Sequence, residues 1–232
     1  MNRRVFAAAA AAVFFLLPLT AADGVMSGEK NIRTIRTQWF DIIYPPESED
    51  AASLLAGRAD GIFTEICTAY GCKPYFRMPV VITPAVEKYN AYFSFQFYSH
   101  IVMYDTSAPD SMAVFSETFL STFRHECTHA VSFSCRNRFW RTVAAVFGDA
   151  VNPGGLFVTP GMAEGATVSY ESSHGEGRLN DGYSLQMIRQ AKIENCFPLW
   201  RDAQGASDVY PLSGGYYYFN GAFASWLQNT YG

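Results

Sequence analysis

The sequence has few charged residues and no basic run. Charged residues make up 16% of the 232 residues, and the formal net charge is −4. Nucleic-acid binding draws most of its affinity from lysine and arginine contacts with phosphates, so we expect no nucleic-acid partner. Histidine is also scarce, with four residues, so two histidines within one short motif stand out. Hydrophobic residues, at 49%, are sufficient for a folded core.

The sequence has a single long apolar run, at residues 5–19, which is shorter than the roughly 20 residues of a membrane span. Arg3 and Arg4 precede this run and small residues follow it up to Ala22, which is the pattern of a secretory signal peptide. We predict a leader at residues 1–22. A twin-arginine export signal is an alternative interpretation of the arginine pair.

The predicted mature chain, residues 23–232, has the length of one large domain and no further apolar run of spanning length. We therefore expect an exported protein, periplasmic or extracellular, without a membrane span. Export makes disulfide bonds possible, and an odd count of five cysteines leaves at least one thiol free. Cys67 with Cys72 is one candidate pair, and Cys135 with Cys196 is another.

Hydrophobic periodicity predicts strands in the first half of the mature chain and helices in the second half. Strands are predicted at residues 39–44, 78–83, 91–95 and 100–105. Helices are predicted at residues 47–71, 116–133, 138–147, 162–172, 183–195 and 217–230. This order indicates an α+β fold in which a small mixed β-sheet lobe packs against a helical lobe.

The segment "TFRHECTHAV", residues 122–131, carries the motif His-Glu-x-x-His. On an α-helix, His125 and His129 are about 400° apart and share a face, so both imidazoles can bind one metal ion. Glu126 lies about 100° away, within reach of a water molecule at the metal. Cys127 lies about 200° away and is predicted to face the core.

A catalytic zinc usually has three protein ligands, so the motif requires a third. One class of zinc peptidases adds a histidine six residues after the second histidine, but Cys135 stands there. Another class uses a glutamate from a later helix, and "PGMAEGATVSYES" offers Glu164, followed seven residues later by Glu171. Asp149 is an alternative third ligand. His100, beside a strand, and His174, in a polar loop, are expected to have no role at the metal.

These two motifs resemble those of the gluzincin zinc peptidases, in particular bacterial peptidase MA-like domains, and the similarity extends over nearly the whole mature chain. The resemblance implies a zincin-like fold in which Glu164 is the third Zn²⁺ ligand and Glu171 orients a ligating imidazole. One departure is Gly161, which stands where the family commonly has tryptophan. Similar proteins often carry further C-terminal modules, so this chain is expected either to end as a compact domain or to be the N-terminal part of a longer protein.

The resemblance also implies two substrate contacts. A tyrosine three residues before a glycine donates a hydrogen bond to the oxyanion in related enzymes, and Tyr218 stands three residues before Gly221. The strand before the metal helix, here residues 100–105, binds the peptide backbone by strand addition.

The function expected from these features is zinc-dependent hydrolysis of peptide bonds, as an endopeptidase, with Glu126 as general base. The alternative is an exported zinc-binding module that recognises peptides without cleaving them. The presence of Glu126 favours the enzyme, because a binding module has no need of a general base.

Overall fold

A five-stranded mixed β-sheet forms the centre of the computed structural model, which describes residues 31–149, 151–205 and 214–231. Its strands are β1 (Arg33–Arg36), β2 (Phe40–Tyr44), β3 (Met78–Thr83), β4 (Ala91–Ser94) and β5 (His100–Tyr104). The spatial order is β1-β2-β3-β5-β4. The inner pairs β2–β3 and β3–β5 are parallel, whereas β1 and β4 pair antiparallel at the two edges. The predicted leader, residues 1–22, lies outside the described residues.

The described part of the chain also contains eight α-helices. They are α1 (Glu49–Ala56), α2 (Ala59–Ala69), α3 (Thr118–Ser134), α4 (Arg138–Phe147), α5 (Pro153–Phe157), α6 (Pro160–Ser172), α7 (Gly182–Ile193) and α8 (Gly215–Tyr231). Short 3-10 turns occur at Pro46–Ser48, Asp110–Met112, Arg178–Asn180 and Asp202–Gln204. The fold is therefore mixed α+β, as the order of strands and helices predicted.

The sheet and α3 share one hydrophobic core. Along β2 every second side chain is buried, and Ile42 pairs with Val80 of β3, which in turn pairs with Ile101 of β5. Phe123 of α3 contacts this layer, because its ring lies 5.4 Å from that of Phe40, edge to face. Cys127, one turn further along α3, is fully buried. The orientation predicted for Cys127 from the helical period is therefore confirmed.

One predicted helix differs from the observed structure, and two observed elements were not predicted. The helix predicted at residues 47–71 is divided into α1 and α2, because the chain turns at Gly57 and Arg58. The strand β1 was not predicted, since its residues are mostly exposed and show no alternation of hydrophobic side chains. The short helix α5 was also not predicted, in a segment where proline and glycine interrupt the hydrophobic pattern.

The assignment of residues 100–105 as the strand that adds a substrate peptide is wrong. These residues form β5, which hydrogen-bonds to β3 on one side and to β4 on the other, so neither edge is free. The outer strand on this side of the sheet is β4. Chain order misled the prediction, because β4 folds back outside β5 as the other arm of a hairpin.

Helices α6 and α8 pack in close contact, which fixes the position of the residues they carry. A Cβ atom added to Gly165 of α6 would lie 2.6 Å from the backbone carbon of Asn220, and one added to Gly221 of α8 would lie 2.5 Å from Val168 Cγ1. At Gly161, where the resembled family commonly has tryptophan, an added Cβ atom would lie 2.8 Å from Ala203 O, so there is no room for a side chain. In the described part of the chain, no helix has the length and apolar content required to cross a membrane.

Candidate metal centre

Two imidazoles and one carboxylate converge where α3 passes α6. His125 Nε2 and His129 Nε2 each lie 3.1 Å from the same oxygen, Glu164 Oε2. Both histidines are only 7% exposed. Two residues of one helix thus meet a single residue 35 positions after the second of them, and these three residues form a group that could hold a metal ion.

The local structure of α6 brings Glu164 to this position. Thr159 caps the helix by accepting a hydrogen bond from the Met162 amide, and Pro160 occupies the first helical position, where its missing N–H costs nothing. Glu164 therefore lies on the second turn of a well-defined helix. Burial raises the pKa of this carboxyl group, but hydrogen bonds with the two histidines outweigh burial and lower it.

Each of the two imidazoles is held at its other nitrogen by a side chain of α6. His125 Nδ1 lies 2.9 Å from Glu171 Oε2, and His129 Nδ1 lies 3.2 Å from Thr167 Oγ1. Thr167 Oγ1 also donates to Ala163 O at 3.1 Å, so it accepts the hydrogen bond from the ring. Both rings then carry hydrogen at Nδ1, so Nε2 is the ring atom that would bind a metal ion at the shared site.

Arg178 completes the support of His125. Its Nη1 atom lies 2.9 Å from each oxygen of Glu171, which is 6% exposed. Burial raises the pKa of Glu171, but the hydrogen bond with His125 and the charge of Arg178 lower it further than burial raises it. Burial lowers the pKa of His125, and the carboxylates of Glu164 and Glu171 outweigh this effect and raise it to about 9.

The donor set fits a zinc ion. Two imidazole nitrogens and one carboxylate oxygen are the ligands of many catalytic zinc sites, which keep a fourth position open. A tetrahedral ion with ligands at about 2.0–2.1 Å separates its ligand atoms by about 3.3 Å. The observed separations of 3.1 Å are close to this value.

Glu126 is held by the backbone of the outer strand β4. The Phe93 amide donates to Glu126 Oε2 at 2.8 Å. In the described part of the chain the other carboxylate oxygen, Oε1, has no hydrogen-bond partner. Glu126 is 8% exposed and lines a cavity of about 170 Å³ together with His125, Glu171, Arg178 and Tyr217.

Tyr217, rather than Tyr218, contacts this group. The Tyr217 ring lies 6.3 Å from the His125 ring, and the Arg178 guanidinium lies 4.8 Å from the centre of the Tyr217 ring. Tyr217 and Gly221 are four residues apart, so they share a face of α8, and Gly221 packs on Val168 of α6. Tyr218 is not among the residues that line the cavity.

The other candidate ligands lie outside the group. Asp149, the alternative third ligand, accepts hydrogen bonds from the backbone and side chain of Ser99 and pairs with Arg136. His100 Nδ1 lies 2.9 Å from Tyr98 O, and His174 pairs with Glu65 at 2.9 Å. These contacts leave Glu164 as the carboxylate that meets the two histidines.

The sequence alone does not indicate that Arg178, Thr167 and the Phe93 amide are parts of the site. Thr167 follows Glu164 by three residues on the same helix and could have been found from that spacing. Arg178 lies in a 3-10 turn after a glycine-containing loop, where no periodicity indicates its direction. The Phe93 contact comes from a backbone atom, which residue type does not reveal.

A protein of Treponema pallidum (strain Nichols), described only as an uncharacterized protein, is similar to this chain. It is 31% identical over 202 residues, which are 85% of this chain and 18% of the Treponema protein. The chain thus spans about a fifth of the length of this relative. No protein-family profile matches the chain, and no solved structure matches it.

Proposed function

We propose that this protein is a zinc-dependent peptidase that cleaves within polypeptide chains. The observation that carries the proposal is the pair of 3.1 Å separations from Glu164 Oε2 to the Nε2 atoms of His125 and His129, with the Glu126 carboxylate on the next residue of α3. A site with four closed ligands, commonly cysteines, would instead favour a structural role. The three-ligand set with an adjacent general base favours catalysis.

His125, His129 and Glu164 are the proposed zinc ligands, and Glu171, Arg178 and Thr167 keep the imidazoles in place. Bound zinc would supply a Lewis acid that polarises a scissile carbonyl and makes water more acidic. The remaining chemistry falls to side chains of this protein.

Glu126 is the proposed general base. The Phe93 amide occupies Oε2, so Oε1 is the oxygen that takes the proton from the attacking water. The same carboxyl group then donates this proton to the nitrogen of the leaving amine, which regenerates the carboxylate. A carboxylate fixed through one oxygen loses little freedom on reaction, which is the advantage of a preorganised base.

Tyr217 is the proposed donor to the oxyanion. Burial and the nearby charge of Glu164 raise the pKa of Tyr217. Its hydroxyl group therefore stays protonated at neutral pH and can donate a hydrogen bond to the developing negative charge. We thus give Tyr217 the role of oxyanion donor that the resemblance implied for Tyr218.

The outer strand β4 is the proposed site for the substrate backbone. Its inner edge pairs with β5, and the Phe93 amide points outward from that pairing toward Glu126. A peptide added along the free edge would lie beside the general base. An extended segment in the middle of an unfolded chain suits this arrangement, which favours endopeptidase activity.

Elemental analysis and a cleavage assay test the proposal. We expect one zinc per chain in the parent, in Glu126→Gln and in the control Glu194→Gln, which alters an exposed carboxylate at the end of α7. Unfolded casein should be cleaved by the parent and the control and not by Glu126→Gln. Zinc in all three without cleavage by the parent would favour the alternative, a zinc-binding module that recognises peptides. Absence of zinc would reject both functions.

A further inference from the structure

Three cysteines outside the metal group come together where two helices end. The first two lie at the end of α2, where Gly71 has a φ of +63°. The Gly71 amide bonds Thr68 O at 3.1 Å, and the Cys72 amide bonds Cys67 O at 2.9 Å. These two bonds define a Schellman motif, which brings the third residue from the helix end into contact with the second residue beyond the cap. In this motif both positions are cysteine.

The third cysteine caps α3, the helix that carries the two histidines. The Cys135 amide bonds Val131 O at 2.9 Å and ends the helix. The segment after α2 packs on this end, because the Tyr75 hydroxyl donates to Ser134 O. The thiol of Cys72 consequently lies close to those of Cys67 and Cys135, and its presence raises the pKa of both. Cys196, proposed from the sequence as a partner of Cys135, instead contacts Glu194.

We propose that Cys72 and Cys135 form a disulfide bond that links the end of α2 to the end of the metal-binding helix. Accessibility favours this pair over Cys67 with Cys72. Cys135 is exposed and Cys72 is half-buried, whereas Cys67 is 1% exposed. An oxidant in solution therefore reaches Cys135 and Cys72 and not Cys67.

Chain topology also favours the pair Cys72 and Cys135. A bond between Cys67 and Cys72 would span a segment that the Schellman hydrogen bonds already fix, so it would restrict the unfolded chain very little. Cys72 and Cys135 are 63 residues apart, and the segment between them includes β3, β4, β5 and all of α3. A cross-link over such a loop removes much more freedom from the unfolded chain.

The bond requires an oxidant, for which a small-molecule disulfide such as oxidised glutathione suffices. The thiolate of one cysteine attacks the glutathione disulfide, forms a mixed disulfide and releases one glutathione thiolate. The second cysteine thiolate then attacks the protein sulfur of the mixed disulfide and releases the other glutathione. Two protons leave the cysteines and end on the two glutathione thiols, so one disulfide is exchanged for another.

The surroundings of the cluster favour a structural disulfide over a catalytic one. Burial raises the pKa of Cys67 to about 12, and partial desolvation of the sulfur at the otherwise exposed Cys135 raises its pKa to about 12 as well; the neighbouring thiol of Cys72 adds to both effects. Oxidising disulfides in enzymes depend on a reduced form that a stable thiolate favours. At Cys135 the raised pKa shows no such stabilisation of a thiolate, so its reduced form gains no advantage over the bond.

Disulfide mapping on the purified parent tests the proposal. The chain is equilibrated with reduced and oxidised glutathione at about −200 mV, alkylated under denaturing conditions and digested with a protease that cleaves after aromatic residues. Tyr70 separates Cys67 from Cys72, and Phe133 separates Cys127 from Cys135, so each cysteine falls on its own peptide. We expect one cross-linked species that joins the peptides of Cys72 and Cys135. A Cys67–Cys72 link, or five alkylated thiols, would overturn the proposal.

Thermal unfolding supplies an independent measurement. Reduction should lower the Tm of the oxidised parent by roughly 10 °C, since loops of this length contribute several kcal/mol to stability. Reduction should leave the Tm of Cys135→Ser unchanged, and Cys196→Ser, a matched control outside the cluster, should behave as the parent. An equal response of the parent and Cys135→Ser to reduction would contradict the proposed pairing.

Discussion

Glu171 Oε2 lies 2.9 Å from His125 Nδ1, at the ring nitrogen that does not face Glu164. One helix, α6, therefore supplies both the carboxylate that meets the histidines and the carboxylate that orients one of them. We expect Glu171→Gln to lower zinc affinity by roughly 10- to 100-fold, because the amide accepts the imidazole proton less strongly. Competition with a zinc-binding dye measures this loss.

The control for this variant is Glu176→Gln, in the same segment of the chain. Glu176 accepts a hydrogen bond from the Ser116 amide and has no contact with the histidines, so its zinc affinity should equal that of the parent. Equal affinities for Glu171→Gln and Glu176→Gln would show that Glu171 is not needed to orient His125.

The two neighbouring tyrosines of α8 can be separated by experiment. We expect Tyr217→Phe to lower kcat by roughly 10²-fold with zinc still bound, as for the loss of one oxyanion donor. Tyr218→Phe should retain most of the activity, since Tyr218 does not line the cavity beside Glu126. Steady-state kinetics on one peptide substrate, with zinc content measured in parallel, decides the matter. The reverse ranking would restore Tyr218 as the donor.

The contact between α6 and α8 predicts a stability effect. Gly165→Ala places a methyl group 2.6 Å from the backbone of Asn220, so the helices must separate, and we expect a loss of about 1–3 kcal/mol in the free energy of unfolding. Gly61→Ala is the matched control, since its added Cβ meets nothing within 4 Å and alanine favours helix α2. Urea unfolding of both variants measures the difference. Equal stabilities would mean that α8 can shift without cost.

Removal of a metal ion from the proposed ligands His125, His129 and Glu164 should lower the thermal stability of the protein. A ligand present at 100 times its Kd stabilises the native state by about 2.7 kcal/mol, so a chelator should lower the Tm of the zinc-loaded parent by roughly 5–10 °C. Glu164→Gln, which weakens the site, should show a much smaller shift. Differential scanning fluorimetry with and without chelator records both values. A parent whose Tm does not respond to the chelator would contradict a bound metal in this group.

The parts of the site that lie on single helices could be predicted from the sequence. The spacing of His125 and His129 defines one face of α3, and the seven residues between Glu164 and Glu171 span about two turns of α6. The positions of β2, β3 and α4 also followed from periodicity and turn residues. In each case the deciding interactions are local, so the pattern in the sequence is sufficient.

Features that depend on packing between distant segments could not be predicted. The choice between Tyr217 and Tyr218 depends on the rotation of α8, which the contact of Gly221 with Val168 determines. The position of β5 inside the sheet depends on how the hairpin with β4 folds back. The spacing of residues in the sequence does not indicate how a helix is rotated about its axis, nor on which side of a neighbouring strand a new strand is added.

The hydrogen bond from the Phe93 amide to Glu126 has a consequence for the evolution of this site. The donor is a main-chain atom, so every amino acid at position 93 except proline retains it. The side chain at position 93 can therefore vary, within the space left beside the stacked ring of Phe133, while the carboxylate of Glu126 stays anchored. Under the proposed function, a change at this position would alter substrate preference and leave the proposed general base in place.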